Sequence, residues 1–220
     1  MIILASGSPR RAKILRDLGL EFEIARSDAV EVAYPEEPER TVVENALAKG
    51  AAVAGRFRGR PASQPFDILS ADTIVWFEGK IYGKPKDLDE AREYLRTLSG
   101  KTHIVFTGLA LHRLGSAGSS PATGFASPCA PKPSGDTGLA ATGFSSAASA
   151  VETAVVRSEV KFRELSEARI EEYVARVRPL DRAGAYDIDE SGDLIVESYT
   201  GSYENIMGLP VEPVRGWLKG

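Results

Sequence analysis

The chain has 220 residues, 43% of them hydrophobic and 26% charged, with 27 Lys and Arg against 31 Asp and Glu for a net charge of −4. This length supports a genuine apolar core in one large domain. The composition excludes a fully disordered, collagen-like or coiled-coil chain, and the acidic balance argues against a nucleic-acid-binding protein with a dominant basic face. The single cysteine, Cys129, rules out an intrachain disulfide framework or a cysteine zinc site, and with only His103 and His112 any divalent ion must be held by oxygen.

Met1 to Ala5 is a short apolar run that breaks at Ser6-Gly7-Ser8 and meets Pro9. It predicts a buried strand, a tight loop and a helix capped by Ser8, with Pro9 at the first helical position, Ile14, Leu15 and Leu18 inward and Gly19 as the stop. Leu20 to Ala25 predicts a second strand. A helix is predicted from Thr41, where Thr41 and Glu44 have the spacing of a capping box, and it runs out near Gly55. Phe66 to Ala71 and Thr73 to Phe77 are apolar on either side of Asp72, which predicts a strand bend with a carboxylate at its corner, followed by a hairpin through Glu78-Gly79-Lys80.

Leu88, Ala91, Leu95 and Leu98 recur at helical spacing after Asp87, with Gly100 closing the helix. His103 to Leu111 and Val151 to Phe162 predict long extended segments. Ser166 opens a helix with Ile170, Tyr173, Val174 and Val177 inward, Leu194 to Tyr199 predicts a strand, and a short helix is expected around Val214 to Leu218. Alternating strands and helices with hairpins give a mixed α/β fold. Between the two long strands lies Gly115 to Ala150, where Ala, Ser, Gly, Pro and Thr supply 30 of 36 residues. Such a segment buries too little apolar area to offset its ordering cost, so a flexible low-complexity insertion is expected. It reads either as a partner-binding arm or as a tolerated addition to a hairpin tip.

The strongest local chemistry is Ser6-Gly7-Ser8-Pro9-Arg10-Arg11. Hydroxyls, guanidiniums and free first-turn N–H groups converge there as a polyphosphate cradle, or else as a plain helix cap. Neither a P-loop nor a dinucleotide-binding fingerprint occurs. Asp72 is either held by local hydrogen bonds or set to take a proton from water or bind a cation. Glu31, in the acidic stretch 28–39, reads as a metal ligand or as part of a solvated loop. Lys49 lies mid-helix, where a solvated face is usual, and Lys84 sits in the turn Gly83-Lys84-Pro85. No apolar run reaches the roughly 20 residues needed to span a bilayer. Met1 to Ser8 lacks the basic start of a signal peptide, so the expectation is a cytoplasmic protein without a membrane partner.

Together, Ser6 to Arg11, Ala71-Asp72-Thr73, Gly83-Lys84-Pro85, Leu98-Ser99-Gly100, Val160-Lys161-Phe162, Asp181 to Tyr186 and Gly201 to Pro210 resemble, in order and spacing, the motifs of the Maf family of nucleoside triphosphate pyrophosphatases. The resemblance implies one domain over 1–220 with an inosine triphosphatase-like α/β fold, a mixed twisted sheet flanked by helices. It implies an enzyme, often a homodimer in that family, that uses a divalent cation (Mg, Mn or Co) to cleave a nucleoside triphosphate to monophosphate and pyrophosphate. The Asp181 to Tyr186 and Gly201-Ser202-Tyr203 blocks resemble the branch acting on dTTP and UTP. By the same resemblance Asp72 is the catalytic base, Asp72 and Glu31 are metal ligands, Ser6, Ser8, Arg10, Arg11, Lys49 and Lys84 bind substrate, and Arg10 and Thr73 set specificity. The chain departs from the branch at Asp187-Ile188-Asp189, where Gly-Ile-Gln is usual. An amide that donates and accepts becomes an acceptor-only carboxylate, which adds Asp189 as a specificity position. A rival expectation is a nucleotide-binding regulator of cell division with little or no hydrolysis.

Overall fold

The computed structural model describes residues 1–57, 65–115 and 150–218. Its seven strands are β1 (Ile2–Leu4), β2 (Phe22–Ile24), β3 (Phe66–Phe77), β4 (Lys80–Tyr82), β5 (Thr102–Leu114), β6 (Ala150–Phe162) and β7 (Val196–Thr200). They form one sheet in the order β2-β1-β3-β5-β6-β7, with β4 added to β3. β1 runs parallel to β2 and β3, and the other pairings are antiparallel. The helices are α1 (Pro9–Asp17), α2 (Pro38–Arg56), α3 (Leu88–Leu98), α4 (Glu167–Val177), α5 (Tyr203–Ile206) and α6 (Val211–Leu218).

The period-2 rule of a strand sorts the core onto two faces. Ile3 and Ile68 pack with Val53 of α2, whereas Leu4, Leu69, Leu109 and Leu111 pack with Leu15 of α1 and Val214 of α6. At the far end of the sheet, α3 and α4 close over Val105, Val160 and Phe162 with Leu95, Leu98, Ile170 and Tyr173. The predicted mixed sheet flanked by helices is what forms.

Four local expectations are corrected. Asp72 does not bend the strand: β3 is continuous over twelve residues and pairs Asp72 with Gly108 of β5. The carboxylate has partners of its own, so the backbone ladder is not interrupted. α2 starts at Pro38 rather than at a Thr41 capping box. The Thr41 hydroxyl accepts from the Tyr34 N–H at 2.8 Å, and Glu44 takes Arg40 and the Tyr34 hydroxyl instead of the helix end. Pro38 at the first helical position was the available signal. The third and fourth corrections are at the C-terminal end. β7 begins two residues later than Leu194, after a 3-10 turn at Gly192–Leu194, and a one-turn helix, α5, precedes α6, which itself begins at Val211.

Most of the Gly115 to Ala150 segment, residues 116–149, lies outside the described residues; its ends meet where Arg113 pairs with Ala150 across β5 and β6. Among the described residues, no helix is long and apolar enough to cross a membrane.

The arrangement around one edge of β3 positions the site. On that edge β1 pairs with residues 67–69 and β4 with 75–77. On this edge residues 70–74 therefore have no strand beside them among the described residues, and Asp72 is the middle one.

Candidate active site

A cavity of about 1150 Å³ opens at that gap. Its wall is built from the β1–α1 loop, the face of α2, the centre of β3, the β3–β4 hairpin and the segments around Asp187 and Gly208. Ser6, Ser8, Arg10, Arg11, Glu31, Lys49, Asp72, Thr73 and Lys84 all line it. Asp189 does not: it accepts from the Tyr203 hydroxyl at 3.2 Å outside the cavity, and Asp187, two residues earlier, lines the wall instead.

Asp72 shares a face of β3 with Ser70 and Ile74, the face that α2 covers. The helix approaches closely because β5 has glycine there: a Cβ on Gly108 would stand 2.4 Å from the Val42 carbonyl carbon. Ser70 Oγ donates to the Ala46 carbonyl of α2 at 2.7 Å and pins the contact. Asn45 and Lys49, one helical turn apart on α2, thereby reach the carboxylate. Asn45 Nδ2 donates to Asp72 Oδ2 at 3.0 Å, and Lys49 Nζ donates to Asp72 Oδ1 at 2.5 Å. The same ammonium meets Glu31 Oε1 at 2.7 Å. Asp72 is 5% exposed, so its charge is offset by Lys49 rather than by bulk water.

Asn45 is absent from the expectations above. Its amide bonds Val32 in both directions, 2.8 Å from the Val32 N–H and 2.9 Å to the Val32 carbonyl, which ties the acidic segment carrying Glu31 to α2. A polar residue on the inner face of α2, four residues before Lys49, was the signal available.

Arg11 is held from the other face. Nε donates to the Gly208 carbonyl at 2.8 Å, Nη1 to Ser6 Oγ and the Ala71 carbonyl at 3.1 and 2.9 Å, and Nη2 to Thr73 Oγ1 at 3.0 Å. The Ala71 carbonyl belongs to the unpaired edge of β3, so the guanidinium does the work of a missing strand. Thr73 Oγ1 continues to Thr107, whose hydroxyl donates to the Asn205 carbonyl at 3.1 Å. Gly208 has φ +101°, a conformation open to glycine, and this turns its carbonyl onto Arg11. Burial pushes the Arg11 guanidinium below its ordinary pKa while Asp72 pulls it back. Four of its five N–H groups are used within the protein, and the Thr73 hydroxyl is equally engaged.

Arg10 is different. Nη1 donates to Asp187 Oδ2 at 3.0 Å, and no other partner for its guanidinium is found among the described residues. Lys84 and its neighbour Lys80 stand exposed on the rim, also without hydrogen-bond or ion-pair partners among the described residues. The Tyr186 ring closes part of the wall, its hydroxyl against His103 Nε2 at 3.0 Å. Burial holds the His103 ring neutral, its pKa lowered to about 3, so this contact supports the wall without adding charge.

Two carboxylates converging on one cation, with several uncommitted basic groups across the same cavity, suit a polyanion and a water that must lose a proton. The family model for Maf-like protein matches residues 1–128 and 131–220. The chain belongs to the Maf family. Among its relatives, the protein named dTTP/UTP pyrophosphatase of Thermotoga maritima is 35% identical over 225 residues, covering 99% of this chain and 91% of the relative. Proteins of the same name from Bacillus cereus and Akkermansia muciniphila are 37% and 36% identical over 220 residues, covering 99% and 100% of this chain and 94% and 95% of those relatives. Maf membership accounts for the joint occurrence of the sequence motifs: all but Lys161 and its neighbours, Leu98 to Gly100 and the outer part of the Gly201 to Pro210 block contribute residues to the cavity wall.

Proposed function

We propose that this chain hydrolyses nucleoside triphosphates, dTTP and UTP first among them, to the monophosphate and pyrophosphate. The observation that carries the reading is that Asp72 faces the same cavity as Arg10, Lys49, Lys80 and Lys84. The relatives named dTTP/UTP pyrophosphatase, aligned over nearly the whole chain, support the substrate class.

The triphosphate lies along the Ser6 to Arg11 loop, where N–H groups at the start of α1 and the free donors of Arg10 meet its oxygens. Lys84 and Lys80 close on the phosphates from the rim. Arg11 adds positive charge and keeps the unpaired edge of β3 in shape. Asp72, with one bond to each oxygen and lone pairs to spare, takes the proton of a water that attacks the α phosphorus as pyrophosphate leaves. Alignment and electrostatics supply most of the acceleration, as is general for phosphoryl transfer.

A divalent cation fits the donor set. Asp72 and Glu31 converge closely enough to share one ammonium, and a small divalent ion is commonly held by one or two carboxylates with phosphate oxygens and water completing its sphere. When bound there it would neutralise phosphate charge and acidify a coordinated water. We read 1–220 as one catalytic domain and Gly115 to Ala150 as an addition at the β5–β6 tip, so deleting it leaves turnover intact.

The test is pyrophosphate release across the common nucleoside triphosphates with Mg²⁺, Mn²⁺ and Co²⁺ in turn. Release that is fastest with dTTP and UTP and abolished by chelation is expected. Tight nucleotide binding without pyrophosphate release would overturn the enzyme in favour of a regulator.

A further inference from the structure

Asp187 is the most heavily bonded carboxylate at the cavity, and the reaction as derived makes no use of it. Its side chain is 4% exposed. Oδ1 accepts the N–H groups of Asp189 at 2.9 Å and Glu190 at 3.4 Å, which folds the segment behind it into a turn. Oδ2 accepts Arg182 Nε at 2.9 Å and Arg10 Nη1 at 3.0 Å. The backbone is fixed as well, since the Asp187 N–H donates to the Tyr173 hydroxyl at 2.8 Å in the core. The carboxylate is therefore a fixed anchor, and of the two arginines bonded to it Arg10 is the one that reaches it from the first turn of α1 at the cavity wall.

The charge balance determines what the anchor does. Arg182 divides its one charge among Asp181, Asp187 and Glu190, so Asp187 keeps negative charge of its own that draws Arg10 to it. A single Nη1 bond also leaves the rest of the guanidinium free to donate. An arginine alone on the first turn of a helix would sample many rotamers and lose that freedom on binding. One held in advance loses less, so more of its interaction energy appears as affinity.

We propose that Asp187 is a positioning residue that holds the Arg10 guanidinium at the cavity wall for the phosphates of the substrate. This rests on the reading of the cavity as a triphosphate site. It also gives the acidic departure from the family pattern a role at Asp187, in place of the one expected for Asp189.

The test is a double-mutant cycle with Arg10→Met, Asp187→Asn and the pair, read as KM and kcat for dTTP and as Kd for inorganic tripolyphosphate by calorimetry, with thermal melts as the check on folding. Arg10→Met is expected to raise KM and Kd about tenfold or more, the loss of a charge-assisted hydrogen bond. Asp187→Asn is expected to raise them by a similar factor with kcat within about threefold, and the double variant to be no worse than Arg10→Met alone, as for two residues acting as a unit. Unchanged KM and Kd in Asp187→Asn, or two effects that multiply, would overturn the proposal while leaving the pyrophosphatase reading intact. If Asp187→Asn does not fold, Asp187→Ser, whose hydroxyl still accepts the Asp189 N–H, takes its place in the cycle. A wild-type protein that binds tripolyphosphate but releases no pyrophosphate would overturn the enzymatic reading alone, and the cycle in Kd then decides on Asp187. A wild-type protein that binds neither ligand overturns both.

Discussion

Asp72 and Asp187 are both buried carboxylates facing cations across one cavity, and they differ in how much of their hydrogen-bonding capacity is occupied. Asp72 has one partner on each oxygen, Lys49 and Asn45, whereas Asp187 has two on each, from Arg10, Arg182 and two backbone N–H groups. A carboxylate offers about four lone-pair sites. Asp187 has filled them, and Asp72 keeps about half for water or a cation. Saturation turns a carboxylate into scaffold, and vacancy leaves it available for chemistry.

Asp72→Asn gives the largest effect that could break this contrast. It keeps the shape and removes the proposed base, so kcat is expected to fall roughly 10²- to 10⁴-fold in steady-state pyrophosphate release, and the thermal midpoint falls as well because Lys49 keeps only Glu31 as its partner. Asp187→Asn should lower the midpoint too but leave kcat near normal. An exchange of these two outcomes would break the assignment. Lys49→Met comes next: it strips the charged partner from Asp72 Oδ1 and leaves two carboxylates facing each other. Breaking a buried pair in this way costs roughly 3–5 kcal/mol, to be measured by denaturant unfolding, and the loss should shrink on adding Mg²⁺ if a divalent ion takes the ammonium's place.

The smallest effect lies in the acid limb of stability. Burial works against ionisation of Asp187, but the bonds from Arg182 and the Asp189 N–H, together with the Arg10 charge, hold its pKa below the ordinary carboxylate value. A depressed pKa contributes stability that is present above the unfolded-state value of about 4 and is lost as the pH falls through the folded one. Thermal melts between pH 2 and 6 should therefore show a steeper acid decline in the wild type than in Asp187→Asn, with the difference confined to the region below about pH 4.

Much of this was legible in the sequence where one physical signal dominated. Ser8 with Pro9 announced α1, the Leu88 to Leu98 spacing announced α3, and both elements form as read, with Ser8 Oγ accepting the Arg11 N–H. The membership of the cavity was legible through motif order. What escaped depends on contacts between distant segments. The Asp72 segment looks like a bend because a charged residue interrupts an apolar run, and only the approach of α2 across Gly108 supplies the partners that let the strand continue. Lys49 looks solvated on its helix, and it becomes a buried partner by the same approach. Arg11 looks like a hand for phosphate, yet four of its N–H groups close the gap between β1 and β4, a gap that only strand register reveals. Asp187 and Asp189 are chemically alike in sequence, and the chain's turn sends just one of them inward.

In the proposed reaction a water beside Asp72 attacks the α phosphorus of a triphosphate held in this cavity. Single-turnover hydrolysis of dTTP in ¹⁸O-enriched water, with both products examined by mass spectrometry, tests it most directly. One ¹⁸O in the dTMP and none in the pyrophosphate is the predicted result; label in the pyrophosphate, or release of single phosphates, would contradict it.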